Sequence, residues 1–277
     1  MIVARSVEEV RRAVGGAGAV YLVPTMGDFH EGHLSLMRRA RQDGGLVVVS
    51  LFVNPMQFGA GEDLASYPRN LARDRRLAEA EAVDVLFAPE AEEVYPPGFA
   101  TRVEVEGLTA GLCGRSRPGH FRGVTTVVAK LFNMVRPQRA YFGKKDYQQL
   151  QVIRRLTRDL DFDIEIIGCP IVREPDGLAL SSRNAYLSPA ERAAAPVIHR
   201  ALRAAAERFA AGERDLATLV GEARLEIEAN PLAQIDYVEG VDAETLQAVE
   251  RVERPAVIAA AVRFGAARLI DNVELLP

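Results

Sequence analysis

A strand–turn–helix pattern near the N-terminus sets the strongest limit on the fold of this chain. The apolar run at residues 19–23 predicts a buried strand, and apolar residues recur at helical spacing over residues 34–40. The turn between them, residues 24–33, contains glycines together with His30 and His33. In α/β proteins such a turn binds phosphate, because the N–H groups and the dipole of the helix N-terminus favour negative charge. The pattern therefore predicts a parallel α/β sheet with an anion site at this turn.

The two histidines of the turn are open to other interpretations. His30 and His33 are three residues apart, so they share one face of the first helical turn. This spacing suits metal ligands, but it is one residue shorter than the metalloprotease pattern, and no cysteine pair has metal-ligand spacing. A purely structural role as a helix cap is the second alternative. We favour binding of nucleotide phosphates and predict no metal site formed by the protein.

The remainder of the N-terminal part repeats the α/β pattern. The continuous β-branched run at residues 46–53 predicts a central parallel strand that is covered on both faces. A second strand–turn–helix follows at residues 140–160, with Gly143 and the charged triplet Lys144-Lys145-Asp146 at its turn. We therefore expect residues 1–180 to form a Rossmann-like domain that binds nucleotide phosphates at these turns.

The chain changes character after residue 180. Ser188-Pro189-Ala190-Glu191 has the residues of a capped helix start, and we expect alanine-rich helices at residues 189–211 and 215–229. Strands near 235–239, 257–262 and 268–272 and a short helix at 243–249 complete the prediction. Residues 181–277 are thus predicted to form a smaller α+β C-terminal lid domain.

Composition excludes several classes of protein. The net charge of −4 argues against a nucleic-acid partner, since nucleic-acid-binding domains are usually basic. No apolar run approaches the roughly 20 residues of a membrane span. Cys113 and Cys169 are isolated thiols, which fits a reducing compartment. We expect a cytoplasmic protein with no nucleic-acid and no membrane partner.

Lysine is rare in this chain. Only three of its 34 basic residues are lysines, and two of them, Lys144 and Lys145, are adjacent. This placement indicates a chemical need for an ammonium group at the second turn, although a solvated charged turn is the alternative. The basic stretch 113–122 is expected to be a loop, either a solvated crossover or a segment near the phosphates.

The segment Gly59–Pro68 is expected to be a mobile lid. Gly59, Gly61 and Pro68 make a stable helix or strand there unfavourable. Glycines also lower the cost of a conformational change, so the segment could order over bound ligands.

Several motifs carry a family resemblance. The histidine turn and the later Ser181-Ser182-Arg183 loop resemble the signatures of the HIGH-motif nucleotidyltransferases, which include class I aminoacyl-tRNA synthetases and cleave ATP at the α-phosphate. Six motifs in order are similar to those of the pantoate–β-alanine ligase (pantothenate synthetase) family, and the similarity runs from about residue 19 to residue 192. These motifs begin at Pro24 (Pro-Thr-Met-Gly, then His-Glu-Gly-His), Asn54 (Asn-Pro-Met-Gln-Phe), Tyr67 (Tyr-Pro-Arg), Gly119 (Gly-His-Phe-Arg-Gly-Val), Phe142 (Phe-Gly-Lys-Lys-Asp) and Ser181 (Ser-Ser-Arg-Asn).

The resemblance implies an ATP-dependent, AMP-forming acid–amine ligase of pantothenate biosynthesis. Such an enzyme condenses pantoate with β-alanine to pantothenate through a pantoyl adenylate, and it releases AMP and pyrophosphate. Its implied partners are pantoate, β-alanine and ATP, with Mg²⁺ arriving on the nucleotide, and the family suggests a homodimer.

The resemblance also implies roles for individual residues. Pantoate would contact Gln57 and Gln149, and Gln57 would also contact β-alanine; a surface amide is the alternative interpretation of Gln57. The implied catalytic residues are His30, His33, Lys145 and Arg183. The implied ATP-binding residues are Met26, Gly27, Asp28, Phe29, His30, Glu31, Gly32, His33, Gly143, Lys144, Lys145, Asp146, Val172, Leu180, Ser181, Ser182 and Arg183.

Two other functions remain open from the sequence. The first is an adenylyltransferase that acts on another small acid or phosphate and has no amine step. The second is a metal-binding or regulatory module that has kept the fold without catalysis. Release of AMP that depends on β-alanine separates the ligase from the first, and turnover of ATP separates it from the second.

Overall fold

A computed structural model describes residues 1–59, 61–62, 64–65 and 67–277. The chain forms two compact units, described separately below. The first unit comprises Met1–Gly107, Arg117–Lys144 and Val152–Pro170; the second comprises Leu108–Ser116, Lys145–Gln151 and Ile171–Pro277. Leu108–Ser116, Lys145–Gln151 and residues 171–180 thus belong to the second unit although all three lie within the predicted 1–180 domain.

The helices and strands of the described residues are as follows. The strands are β1 Ile2–Ala4, β2 Val20–Thr25, β3 Leu46–Leu51, β4 Val85–Phe87, β5 Arg139–Gly143, β6 Glu165–Cys169, β7 Gln234–Asp242, β8 Ala256–Phe264 and β9 Ala267–Leu275. The α-helices are α1 Val7–Val14, α2 Glu31–Gln42, α3 Leu71–Ala80, α4 Ala91–Val94, α5 Leu112–Ser116, α6 His120–Val135, α7 Tyr147–Asp159, α8 Pro189–Ala194, α9 Val197–Ala210 and α10 Leu216–Glu228. Short 3₁₀ helices occur at Pro55–Gln57, Lys144–Asp146 and Ser182–Tyr186.

The first unit is built on a parallel sheet. In the part of the chain that the structure describes, its six strands lie in the order β1-β4-β3-β2-β5-β6. The predicted central strand β3 is buried on both faces, because Val47, Val48 and Val49 are each at most 1% exposed. Phe29 and Met37, from the turn after β2 and from α2, are fully buried against this sheet.

The second unit contains a smaller antiparallel sheet. Among its described residues, β7, β8 and β9 pair in that order, and α9 and α10 pack on them. Strand β8 is alanine-rich and almost wholly buried, which allows the helices to approach the sheet closely. The predicted fold class is confirmed, since a Rossmann-like parallel sheet precedes a smaller α+β part.

Local signals in the sequence explain two helix starts. The hydroxyl of Ser6 accepts a hydrogen bond from the N–H of Glu9 at 3.1 Å, and the Glu9 carboxylate accepts from the N–H of Ser6 at 3.2 Å. Ser188 and Glu191 form the same reciprocal capping box at the start of α8, as predicted.

Three predicted elements differ from the structure. The helix expected at 189–211 is interrupted: α8 ends at Ala194 and α9 starts after Pro196, which cannot donate a backbone hydrogen bond. The helix expected at 243–249 is wrong, because this segment forms turns joined by a bridge between Val241 and Ala248. The basic stretch 113–122 is not a loop but most of α5 and the start of α6, divided at Gly119 with φ +81°.

The predicted lid lies partly beyond what the structure describes. Its residues Ala60, Asp63 and Ser66 are outside the described residues, so the lid stays a prediction. Elsewhere in the described chain, none of the helices combines the length and the apolar character that a membrane crossing requires.

Candidate functional site

The two histidines of the first turn cap the helix that follows. His30 is the N-cap of α2, and its Nδ1 accepts a hydrogen bond from the N–H of Gly32 at 3.2 Å. In return, Nδ1 of His33 accepts from the backbone N–H of His30 at 3.3 Å, and the ring centroids are 4.1 Å apart. The pair therefore forms a capping box in which imidazoles replace the usual hydroxyl and carboxylate.

This arrangement fixes the tautomer of both rings. A ring nitrogen that accepts a hydrogen bond carries no proton, so His30 and His33 hold their proton on Nε2. Each ring consequently has one N–H donor, close to the N–H groups of the helix N-terminus. The two histidines therefore do cap the helix, and their Nε2–H groups are hydrogen-bond donors of the kind that bind an anion at a helix N-terminus.

The position of the His30 ring requires a glycine at residue 32. A Cβ at this position would lie 2.9 Å from Cε1 and Nδ1 of the His30 ring, which is too close. Gly27 has φ +92°, and a Cβ there would meet Oδ2 of Asp74 at 3.0 Å. The glycines of the motif therefore serve the shape of the turn itself.

A buried carboxylate from α3 holds the turn. Asp74 is 1% exposed, and its two oxygens accept hydrogen bonds from the N–H groups of Asp28 and Phe29, each at 2.8 Å. Burial raises the pKa of Asp74 above its ordinary value of 3.8, although these two hydrogen bonds oppose the effect. Sequence reasoning missed Asp74, because an isolated aspartate after the Tyr-Pro-Arg motif gives no sign that its partners are the backbone N–H groups of Asp28 and Phe29.

Gln57 lies next to this turn in the first unit. It is the last residue of the 3₁₀ helix that follows β3, and it is only 9% exposed, which rules out the surface-amide interpretation. Its Nε2 donates to Sδ of Met26 at 3.0 Å, and its Oε1 accepts from Nδ2 of Asn54 at 3.0 Å. Asn54 is itself buried and bonded to the carbonyl of Gly123 and the hydroxyl of Tyr95. The amide of Gln57 is therefore held in one orientation.

The basic stretch also reaches Gln57 within the first unit. Nδ1 of His120 lies 2.8 Å from the carbonyl oxygen of Gln57, and Nη1 of Arg117 lies 3.1 Å from Nε2 of His120. Arg117 donates to both carboxylate oxygens of Glu62, at 2.7 and 2.6 Å. This ion pair, opposed by burial, lowers the pKa of Glu62 from 4.5 to about 2. A segment interpreted as a possible solvated crossover is thus tied to a predicted substrate residue.

The sheet brings the elements of the first unit to one edge. Strands β3 and β5 both pair with β2 in parallel, so their carboxyl ends lie side by side. The histidine turn follows β2, Gln57 follows β3, and Gly143 and Lys144 lie at the end of β5. Ligands bind at this edge of open α/β sheets, which agrees with the predicted placement.

The remaining predicted residues belong to the second unit. Nζ of Lys145 lies 3.1 Å from a carboxylate oxygen of Asp146, and the side chain of Lys145 is 22% exposed. Gln149, on α7, is partly buried. The unit therefore carries the predicted ammonium group at the start of α7.

Another group of predicted residues lies around a short hairpin of the second unit. Arg173 pairs with Ala179, and the N–H of Leu180 donates to the carbonyl of Val172 at 3.0 Å. Ser181 caps the 3₁₀ helix Ser182–Tyr186, where its hydroxyl accepts from the N–H of Arg183 at 3.3 Å. The structure thus joins Val172 and Leu180 directly and places Ser181–Arg183 immediately after them.

Comparison with known proteins identifies the family. The sequence model of pantoate-beta-alanine ligase matches residues 2–274. The chain belongs to the pantoate–β-alanine ligase family. The prediction of a ligase of this family is confirmed, and the match extends beyond the stretch 19–192 over which motifs were recognised.

Curated relatives support this family assignment. The pantothenate synthetase of Heliobacterium modesticaldum is 63% identical over 251 residues, which cover 91% of this chain and 89% of that protein. The pantothenate synthetase of Roseiflexus sp. strain RS-1 is 56% identical over 276 residues, covering 99% of each chain.

Solved structures agree with the fold. The pantothenate synthetase of Thermus thermophilus matches with a TM-score of 0.97 and 53% identity over 100% of both chains. The pantoate–β-alanine ligase of Francisella tularensis, solved in complex with βγ-ATP and β-alanine, matches with a TM-score of 0.80 and 34% identity over 99% of this chain and 97% of that one.

Proposed function

We propose that this chain condenses pantoate with β-alanine in two steps driven by ATP. In the first step a carboxylate oxygen of pantoate attacks the α-phosphorus of ATP. The bond between the α-phosphorus and the oxygen that bridges the α- and β-phosphates breaks, and pyrophosphate leaves with that oxygen. In the second step the amine of β-alanine attacks the acyl carbon of the pantoyl adenylate, loses a proton and expels AMP. The observation that carries this proposal is the imidazole capping box of His30 and His33 at the N-terminus of α2 in a chain of this family.

The histidine turn would bind the phosphates. Negative charge on the phosphate oxygens is redistributed while the α-phosphorus is attacked, and donors fixed beforehand stabilise it without reorganisation. The Nε2–H groups of His30 and His33 and the first N–H groups of α2 are such donors, because their orientation is set by the capping box. Residues 26–33 would therefore hold the triphosphate at this turn.

Neutral amides would hold pantoate. An arginine on the attacking carboxylate would withdraw electron density from the nucleophile, whereas an amide on the pantoate hydroxyls orients the substrate without that penalty. Gln57 suits this role because its amide is buried and oriented by Asn54 and Met26. We assign pantoate to Gln57 and Gln149, and contact with β-alanine also to Gln57.

Residues of the second unit would supply further positive charge and donors. Unit charges about 4 Å apart attract by roughly 4 kcal/mol at an effective dielectric of 20, so the ammonium of Lys145 can matter greatly to the transition state. Asp146 would contact the ribose or the metal-bound end of ATP. Ser181, Ser182 and Arg183 would bind the departing pyrophosphate, since hydroxyls and a guanidinium make strong charge-assisted hydrogen bonds.

The adenine ring and the cation have simpler assignments. Val172 and Leu180 would contact adenine, because they are backbone-bonded neighbours at the base of the hairpin. Within the described residues there is no group of three or more His, Cys, Asp or Glu that could hold a metal ion. We propose that Mg²⁺ arrives as part of the ATP substrate, bound by phosphates and water. We also propose that the chain forms a homodimer and is located in the cytoplasm.

Isotope exchange tests the proposal. With pantoate and Mg²⁺ present and β-alanine absent, the enzyme should transfer labelled pyrophosphate into ATP, because the adenylate step is reversible. Addition of β-alanine should then release AMP and form pantothenate. No exchange in a preparation that forms pantothenate would refute the adenylate route. Equal exchange with unrelated acids and no AMP release with β-alanine would favour the adenylyltransferase.

A further inference from the structure

Two consecutive polar residues are buried in the last strand of the second unit. Asp271 and Asn272, in the middle of β9, are 4% and 5% exposed. Their partners across the sheet on β8 are Ala260 and Ala259, which offer no polar side chain. Burying a carboxylate and an amide without partners is costly, so both side chains must be bonded elsewhere.

Asn272 is bonded to the turn that carries Lys145. Its Nδ2 donates a hydrogen bond to the backbone carbonyl of Lys145 at 3.0 Å, although 127 residues separate the two in the chain. The carbonyl belongs to the peptide plane that joins Lys145 to Asp146. Holding this plane fixes the backbone at Lys145 and hence the direction in which its side chain leaves the turn.

Asp271 is bonded to the hairpin that carries Val172 and Leu180. Its two oxygens accept hydrogen bonds from Nη1 and Nη2 of Arg173, at 2.6 and 2.9 Å, in a paired arrangement. Nη1 of Arg173 also donates to the carbonyl of Gly177 at the hairpin turn, at 3.1 Å. The guanidinium of Arg173 thus links the first arm of the hairpin and its turn at Gly177 to β9.

The two anchors are also coupled to each other. Oδ1 of Asp271 accepts a hydrogen bond from the backbone N–H of Asn272 at 2.8 Å. One short stretch of β9 therefore fixes two segments assigned to ATP, through hydrogen bonds whose β9 side chains are buried.

We infer that Asp271 and Asn272 are positioning residues for ATP, acting through the backbone of Lys145 and through the Arg173 hairpin. The inference rests on the proposed function and extends it to a strand that carries none of the recognised motifs. A group that must meet a phosphate within a few tenths of an ångström needs rigid support, and a misplacement of 1 Å can cost about a hundredfold in rate. Neither residue needs to touch the nucleotide for this role.

The test compares variants that lose the anchors with a control that loses an unrelated bond of the same unit. Asn272→Asp keeps the shape but replaces the donor with an acceptor that faces the Lys145 carbonyl. Asp271→Asn keeps the shape but cannot accept both guanidinium hydrogen bonds. The control is Asp215→Ala, which removes the cap of α10, where Oδ1 accepts from the N–H of Thr218. Removing this cap destabilises the second unit but leaves the hydrogen bonds of Asn272 to Lys145 and of Asp271 to Arg173 in place.

Three measurements are made on each full-length variant: the thermal midpoint, the dissociation constant for ATP with Mg²⁺ by calorimetry, and the KM values for ATP and pantoate in pyrophosphate exchange. We expect both anchor variants to weaken ATP binding at least about tenfold and to raise KM for ATP far more than KM for pantoate. The control should retain wild-type affinity at a comparable loss of thermal midpoint.

The outcomes separate the inference from the proposed function. Anchor variants that bind ATP as tightly as the control overturn the inference, whatever the exchange assay gives. The anchor variants could weaken ATP binding as expected while the wild type shows no pantoate-dependent exchange. That result supports the positioning role and refutes the adenylate step. A wild-type chain that binds no ATP overturns both.

Discussion

The carboxylate of Asp74 accepts a hydrogen bond from the backbone N–H of Phe29 at 2.8 Å, and both side chains are buried in the first unit. Phe29 immediately precedes the N-cap of α2, and its ring centroid lies 5.7 Å from that of His33. The histidine pair is therefore held from two sides. Its own capping box orients the rings, and the carboxylate from α3 fixes the backbone that leads into them.

The first prediction separates the capping role of His33 from its role as a donor. His33 is the third residue of α2, where glutamine and glutamate both accept the hydrogen bond of a capping box. We expect His33→Glu to fold with a near wild-type thermal midpoint and to lose about 10²–10³-fold in pyrophosphate exchange, since it keeps the acceptor and replaces the donor with a negative charge. His33→Gln keeps both functions and should lose clearly less. Near wild-type exchange in both variants would reduce His33 to a helix cap.

The second prediction concerns the adjacent lysines. Lys145→Ala should lower turnover by at least about a hundredfold, comparable to the loss of a preorganised donor at a developing charge. Lys144→Ala is the matched control and should lose much less, because adjacent residues at a turn point in different directions. Both variants should fold normally, since a partly exposed pair such as Lys145–Asp146 contributes at most about 1 kcal/mol. Similar turnover of the two variants would contradict the assignment of Lys145.

The third prediction concerns Asp74. Asp74→Ala leaves the buried N–H of Phe29 and the partly buried N–H of Asp28 without their acceptor, at about 1–3 kcal/mol for each fully buried group. We expect the free energy of unfolding to fall by at least about 2 kcal/mol, and pyrophosphate exchange to fall with the disordering of the turn. Urea denaturation and the exchange assay measure the two effects. A variant with wild-type stability would show that the turn does not depend on this carboxylate.

The same residue has a pH dependence with a definite sign. Burial raises the pKa of Asp74 in the folded chain, so its contribution to stability is fully present below the ordinary value of 3.8 and declines as the pH rises through the raised value. Asp74→Asn lacks this ionisation. The stability of the wild type relative to Asp74→Asn should therefore fall as the pH rises above the ordinary value of 3.8. A difference that grows with pH would contradict the raised pKa.

The fourth prediction concerns Glu62 and Arg117. The hydrogen bonds from Arg117 lower the pKa of Glu62 to about 2, so the stabilising effect of this pair is present above the ordinary value of 4.5 and is lost as the pH falls through about 2. Carbon-detected NMR should show the Glu62 carboxyl titrating near the low value in the wild type. In Arg117→Ala it should titrate near the ordinary value. An unchanged titration in that variant would mean that Arg117 is not the cause.

The sequence alone predicted most of the elements whose signals are local. The buried runs of β2 and β3, the capping box at Ser188, and the two strand–turn–helix units all follow from residues a few positions apart. Motif resemblance in the same chain was specific enough to indicate the family, which the comparisons confirmed. Failures of local prediction also had local causes, such as the break of the helix at Pro196.

What only the tertiary structure decided is which distant side chains hold the motif residues in place. Asp74 reaches Phe29 across 45 positions, and Asn272 reaches Lys145 across 127. In the sequence both are single polar residues without a spacing pattern. Their partners are backbone groups, which every residue possesses, so no residue type in the motif signals the bond. Such pairs form because folding buries a polar side chain and a backbone group together, and each then needs the other as its hydrogen-bond partner.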